Sequence, residues 1–102
     1  MTSLNDKIKI IFEGKQLQEN RFDIGTTKDS IDLDIIIKNI SDVLLKNLKF
    51  HFPMGIDVLE PKMLPDRMVP ELEIPFSLRI DTSLTRTFTM EVEGSFLHVL
   101  AR

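Results

Sequence analysis

IDLDIIIKNISD, residues 31–42, is the stretch that decides the fold. Apolar side chains occupy every second position in its first half: Ile31, Leu33, Ile35 and Ile37. Successive side chains of a β-strand point to opposite faces of the sheet, so this alternation predicts a strand with one buried face.

A polar turn and a second alternating run follow this strand. Asn39, Ser41 and Asp42 favour a turn, because their short side chains can bind nearby backbone groups. Apolar and polar residues alternate again from Asn47 to Phe52, so the two runs together predict a β-hairpin. The alternative is a short helix capped by Ser41, with one face formed by Ile40, Val43, Leu44, Asn47 and Leu48.

The rest of the chain repeats this pattern of short alternating runs separated by turn-forming residues. Further strands are predicted at residues 8–12, 16–24, 56–59, 72–80, 85–93 and 96–100. Residues 61–70 contain three prolines and are predicted to form an irregular loop. The predicted fold class is all-β, an antiparallel β-sandwich of about seven or eight strands. Residues 1–6 are predicted to be a disordered N-terminus and residues 7–102 a single domain.

Composition narrows the classes of partner and compartment. The chain has 102 residues, a formal net charge of −3 and no cysteine. The negative balance argues against nucleic acid and against anionic membranes as partners. Disulfides and thiolate chemistry are excluded by the missing cysteines. No signal-peptide or membrane-spanning run is visible, so a cytoplasmic location is expected.

Two motifs resemble a recurring immunoglobulin-like pattern. In the first, residues 35–42, a strand ends in Asn-x-Ser; in the second, residues 48–55, a strand closes with Pro-x-Gly. The likeness covers roughly residues 31–94 and departs from the pattern at Pro70, which is followed by Glu71 instead of glycine. The chain is similar to accessory sandwich modules of large prokaryotic surface and carbohydrate-active proteins, and more loosely to adaptin appendage domains. This resemblance implies an immunoglobulin-like fold acting as a non-catalytic binding or spacer module.

Residues with catalytic or metal-binding chemistry are sparse. His51 and His98 are the only histidines, whereas a metal site needs three or four ligands. Ser77, His98 and Asp81 contain the residue types of a hydrolytic triad but lack any local signature of one. We therefore predict no enzyme activity, no catalytic residue and no cofactor.

Two further motifs have simpler structural explanations. Asp29, Asp32 and Asp34 suggest calcium, but no glycine-bearing ligand loop surrounds them, so we predict no metal site. Asn39-Ile40-Ser41 matches a glycosylation sequon, but no secretion signal accompanies it, so we interpret it as a turn.

Two segments carry apolar residues outside the alternation and are the candidate partner-binding residues. The predicted set is Val43, Leu44, Leu45, Met63, Leu64, Met68 and Val69. Exposed apolar patches often mark association sites, and methionine adapts to irregular partners. The alternative is that the loop at residues 61–70 folds over an open end of the sandwich as a lid and buries its own side chains.

The functional expectation is a protein-interaction or assembly module. It would dock through an exposed edge strand or through the apolar patch, onto a protein partner or onto a second copy as a homodimer. A structural spacer in a larger protein is the alternative, and an enzyme is the third candidate.

Overall fold

The computed structural model describes residues 2–25 and 28–98, and this part of the chain is built almost entirely from β-strands. Eleven strands lie within it, with one 3₁₀ turn at Gln18–Asn20. The strands are β1 Thr2–Ser3, β2 Ile8–Phe12, β3 Lys15–Gln16, β4 Arg21–Asp23, β5 Ser30–Asn39, β6 Val43–His51, β7 Ile56–Glu60, β8 Arg67–Met68, β9 Glu73–Asp81, β10 Thr87–Thr89 and β11 Glu91–His98. None of the described residues forms a helix that is long and apolar enough to cross a membrane.

The strands form two main antiparallel sheets, which confirms the predicted all-β sandwich. The larger sheet has the order β3-β2-β5-β9-β7, and the smaller one has the order β1-β11-β6-β8. A separate two-stranded ribbon pairs β10 with β4. The longest ladder joins β5 to β9, from Ser30 opposite Asp81 to Lys38 opposite Glu73.

The core is filled by the alternating residues that the sequence marks as inward-facing. On β5 and β9 they are Leu33, Ile35, Ile37, Phe76, Leu78 and Ile80. On the smaller sheet they include Val43, Leu45, Leu48, Met68 and Val92. Each such side chain contributes about 1.5–3 kcal/mol when it is removed from water, so period-two burial supplies most of the driving force.

The predicted hairpin between residues 31–42 and 47–52 is wrong, because β5 and β6 lie in different sheets. The chain crosses from one sheet to the other at Asn39, whose side chain is fully buried. The Nδ2 group donates to the carbonyls of Val43 (3.0 Å), Met68 (3.0 Å) and Val69 (3.1 Å). The Oδ1 atom accepts from the backbone N–H of Ser41 at 2.9 Å. The hydrogen bonds of the Asn39 side chain therefore join the two sheets. In a tight hairpin, both strands would have stayed in the same sheet.

The other local alternatives also differ from the structure. The short helix over residues 40–48 is wrong, because Val43–His51 is a strand. The predicted strand 16–24 is interrupted by the 3₁₀ turn, where Glu19 and Asn20 have φ values of 54° and 55°. The predicted strand 85–93 is divided at Met90 into β10 and β11, and β11 absorbs the predicted final strand as far as His98.

Residues 1–6 were predicted to be disordered. Residues 2–6, which the structure describes, are ordered at least in part. Thr2 and Ser3 pair with Gly94 and Glu93, and Leu4 is fully buried. The sequence pattern shows only polar residues around one leucine. Burial of that leucine and the ladder bonds offset the entropy lost on ordering so short a segment.

Pro75 lies where its missing N–H is tolerated. It pairs with Ile36 of β5, while the described pairing of β7 with β9 ends at Ser77. At Pro75, β9 therefore has a neighbouring strand on one side only among the described residues. This agrees with the general confinement of proline in sheets to edges and bulges.

Replacement of Asn39 should strongly destabilise the fold. Asn39→Ala removes the amide donor from the carbonyls of Val43 and Met68, whereas the carbonyl of Val69 keeps the N–H of Leu72 at 3.2 Å. Unsatisfied buried polar groups cost about 1–3 kcal/mol each. We expect a loss of about 2–4 kcal/mol in the free energy of unfolding, measured by urea denaturation. Asn39→Asp, which keeps the shape but cannot donate at neutral pH, should be at least as damaging.

The control Gln16→Ala removes an exposed amide and should change stability by less than about 0.5 kcal/mol. Equal stability of the Asn39 and Gln16 variants would contradict the bridging role.

Arg79 should hold the pKa of Asp32 low. The Arg79 Nε donates to Asp32 Oδ1 at 2.9 Å, and this hydrogen bond, with a Coulombic contribution, keeps the pKa of Asp32 below its ordinary value of 3.8. Because the folded-state pKa is the lower one, the stabilisation is present above about pH 3.8 and is lost as the pH falls through the folded-state pKa. Arg79→Gln should raise the pKa of Asp32 towards 3.8 in a carboxyl NMR titration. Arg21→Gln, which removes an arginine paired with Asp23, should leave it unchanged. An unshifted Asp32 in Arg79→Gln would exclude this pairing.

Candidate functional site

The outer edge of β11 is covered along its first half by the N-terminal segment. The side chain of Asn5 accepts from the N–H of Val92 at 2.8 Å and donates to the carbonyl of Met90 at 3.1 Å. The N–H of Leu4 donates to the carbonyl of Val92 at 2.8 Å. The asparagine amide thus imitates a neighbouring strand, and β1 continues the cover as far as Gly94.

Beyond Gly94 the same edge is open within the described residues. Residues 95–98 pair with β6 on one side, and no described strand lies on the other. Along an antiparallel strand, alternate residues direct both backbone groups to the same side. Because Val92 bonds towards the N-terminal segment, Phe96 and His98 present their N–H and C=O groups to the open side.

A β-bulge separates the covered half of β11 from the open half. The register with β6 shifts between Glu93 and Ser95, and Asn47 takes a φ of 54° opposite this point. A Cβ atom on Gly94 would lie 2.7 Å from the carbonyl oxygen of Lys46, so only glycine fits there. The extra residue lies on β6, where two residues, 47 and 48, oppose Gly94, and bulges increase the local twist.

An apolar row crosses the outer face of the smaller sheet beside this open edge. Leu97 of β11 lies directly opposite Leu44 of β6. On the far side of β6, Leu45 pairs with Met68, so Val69 follows at the position beside Leu44. Leu97 and Val69 are 50% and 54% exposed, and Leu44 is partly exposed. We call these three residues the apolar row.

Positive charges border the apolar row on one side, and Asp42 lies two positions before Leu44 on the other side. The next rung along the three strands consists of Ser95, Lys46 and Arg67. At the open end of β11, the ammonium group of Lys7 lies 4.7 Å from the centre of the Phe96 ring. The ring of His98 packs edge-on against the same ring, with the centroids 5.8 Å apart. A docking surface with these neighbours favours an apolar partner that carries negative charge.

Three of the seven predicted partner-binding residues are corrected by the structure. Val43, Leu45 and Met68 are at most 3% exposed and lie in the core, so they do not reach a partner in this fold. Each alternates with an outward residue, and the uninterrupted apolar run in the sequence concealed which residue faced inward. Met68 is held there because β8 adds an edge strand to β6.

The other four predicted residues are at the surface in two places. Leu44 and Val69 belong to the apolar row, whereas Met63 and Leu64 are exposed in the loop between β7 and β8, at 87% and 45%. Met68 is buried as the lid alternative requires, but by strand pairing with β6 and not by folding over an open end. Met63, Leu64 and Val69 are exposed. Leu97 was not among the predicted residues, and because Phe96, Leu97 and His98 are all exposed, no alternation in the sequence marks it.

The residues considered for catalysis or metal binding have structural partners. His51 Nε2 lies 3.7 Å from Glu93 across β6 and β11. Asp34 accepts a hydrogen bond from Ser77 at 2.8 Å, and Asp32 binds Arg79. Over residues 2–25 and 28–98, no group of three or more histidine, aspartate or glutamate side chains is placed to hold a metal ion.

No protein-family model matches this sequence, and neither a curated protein nor a solved structure matches the chain.

Met68 and Val69 are neighbours in the chain, but substitution by alanine should affect the stability of the fold very differently at the two positions. Met68→Ala removes a fully buried side chain and should lower the free energy of unfolding by about 2–4 kcal/mol. Val69→Ala removes an exposed one and should change it by less than about 0.5 kcal/mol. Urea denaturation of both variants measures the difference. A Met68→Ala protein as stable as Val69→Ala would mean that Met68 is not a core residue.

Proposed function

We propose that this chain is a non-catalytic protein-interaction module with an immunoglobulin-like β-sandwich. Another protein docks on the outer face of the smaller sheet, at the apolar row, and beside the open half of β11. The observation that supports this function is the position of the row: three apolar side chains on neighbouring strands adjoin the backbone groups of Phe96 and His98 on the open edge.

Two interactions supply the binding energy. An extended segment of the partner can add a strand to residues 95–98 and form main-chain hydrogen bonds, each worth about 0.5–1.5 kcal/mol net. Its outward side chain next to Leu97 then extends the apolar row and adds buried area at about 25 cal/mol per Å². The main-chain hydrogen bonds give affinity, and the apolar row gives specificity for an apolar side chain of the partner next to Leu97.

Charge restricts the class of partner. Lys46 and Arg67 border the row, so an acidic residue of the docked segment finds a cation two positions from its apolar contact. Nucleic acid is a poor alternative, because the chain has a net charge of −3 and neither tryptophan nor tyrosine for base stacking. A protein segment that combines acidic and aliphatic side chains fits both features.

Substitutions in the apolar row should abolish docking without affecting the fold. The purified domain is used to capture a protein, which is then identified, purified and titrated against each variant. Leu97→Lys and Leu44→Lys should each weaken binding at least about tenfold, because each places a charge in an apolar contact. The matched control is Leu84→Lys, at a leucine that is 60% exposed in the turn after β9.

Hydrogen exchange distinguishes the two parts of the site. If the partner adds a strand, the amide protons of Phe96 and His98 become protected in the complex. Equal loss of binding in Leu84→Lys, or binding that survives both row substitutions, would contradict this site. The absence of any bound protein would leave the spacer function in its place.

A further inference from the structure

A second apolar row lies on the opposite outer face of the molecule, across the larger sheet. Ile11 of β2 pairs with Ile36 of β5, and Ile36 pairs with Pro75 of β9. These three residues lie in a groove of about 530 Å³. All three depart from the alternation of their strands, because each is an apolar residue at an outward position. The structure thus has one apolar row on each of its two outer faces.

Charged side chains border this groove, as they border the apolar row on the smaller sheet. Glu13, Asp34 and Glu73 line the groove, which contains no lysine or arginine among its described lining residues. Glu73 shares Lys38 with Glu71, at 3.6 Å and 3.4 Å. The smaller sheet carries Lys46 and Arg67 beside its own row. Each row therefore has a basic and an acidic side: Lys46 and Asp42 flank Leu44, and Lys38 and Asp34 flank Ile36.

The central strands of the two faces carry the same sequence pattern. On β5 the outward positions are Asp34, Ile36 and Lys38. The corresponding positions around the start of β6 are Asp42, which directly precedes the strand, and Leu44 and Lys46 within it. Each set is an acidic, an aliphatic and a basic residue at every second position, about 7 Å apart. When β6 of one molecule lies antiparallel over β5 of another, Leu44 faces Ile36. Lys46 then faces Asp34, and Asp42 faces Lys38.

We propose that the groove on the larger sheet receives the apolar row of a second copy of this chain. The contact is face to face and head to tail: the outer face of the smaller sheet of one copy packs on the outer face of the larger sheet of the next. Leu44 enters the groove over Ile36, with Leu97 and Val69 on either side of it. This inference rests on the proposed function, because it identifies one occupant of the apolar row.

Such a contact has a definite symmetry. The two surfaces are different, so the contact is heterologous, and each added copy leaves a free face of each kind. The assembly is consequently an open stack instead of a closed dimer. Two rows of three residues give a small contact area, below that of standard stable interfaces, so association should be weak and visible only at high concentration.

A charge-swap experiment tests the register of this contact. Wild-type protein is examined by light scattering and by NMR diffusion over a concentration series that reaches about 1 mM. It should show mass growing with concentration. Asp34→Lys places two cations opposite each other, and Lys46→Asp places two anions opposite each other. Each variant alone should associate at least about tenfold more weakly than wild type.

An equimolar mixture of the two variants should recover association, because each mixed contact again joins opposite charges. The matched controls are Asp23→Lys on β4, in the ribbon that belongs to neither main sheet, and Lys62→Asp in the proline-rich loop. They make the same changes of net charge at exposed positions outside both faces, and each should associate like wild type. Spectra of dilute samples confirm that every variant is folded.

Three results would overturn the stack. They are a wild-type protein that stays monomeric throughout the series, a mixture that fails to recover association, and control variants that lose association as strongly as the swaps. The proposed function fails separately. If the wild-type protein is monomeric but Leu44→Lys still abolishes binding of another protein, the stack is wrong and the docking site stands.

Discussion

The buried amide of Asn39 is the constraint on which the arrangement of the two sheets depends. Its side chain binds the carbonyls of Val43, Met68 and Val69, which belong to β6 and to the end of β8. Its backbone N–H donates to Leu72 at 3.0 Å, so the same residue also fastens the start of β9. An asparagine amide offers two donors and one acceptor at a single position, and a buried one must use them. The crossing between the sheets and the docking of the proline-rich loop therefore have a common cause.

Two other asparagine side chains form hydrogen bonds with backbone groups at the edges of strands. Asn20 donates to the carbonyl of Ile8 at 2.8 Å and accepts from the N–H of Ile10 at 2.9 Å, which closes the outer edge of β2. Asn5 does the same for β11 at Met90 and Val92. A side chain cannot extend such cover for more than one repeat of the ladder. On β11 the strand β1 continues the cover as far as Gly94, and the surface that we assign to docking begins beyond it.

The fold class was predictable because burial with a period of two is local information. Leu33, Ile35 and Ile37 face inward in any antiparallel arrangement, and no longer-range knowledge is needed to see it. The partner of each strand was not predictable in this way, since a turn at Asn39 and Ser41 is equally compatible with a hairpin and with a crossing. The choice depends on hydrogen bonds to Met68 and Val69, about thirty residues away in the chain. The same distance explains why Met68 looked like a loop residue: its burial requires the pairing of β8 with β6.

The two candidate surfaces consist of apolar residues at outward strand positions, where the alternation that builds the core would place polar residues. Ile36 and Leu44 each stand between two buried neighbours on their strands, at positions where a sheet facing water normally carries polar residues. Neither contributes to the sandwich interior, so the fold itself does not require them to be apolar. Their pairing partners across the strands, Pro75 and Leu97, are exposed and apolar as well. Single exposed apolar residues need no explanation, but a row continued across three strands exposes a contiguous surface that gains free energy only when something covers it.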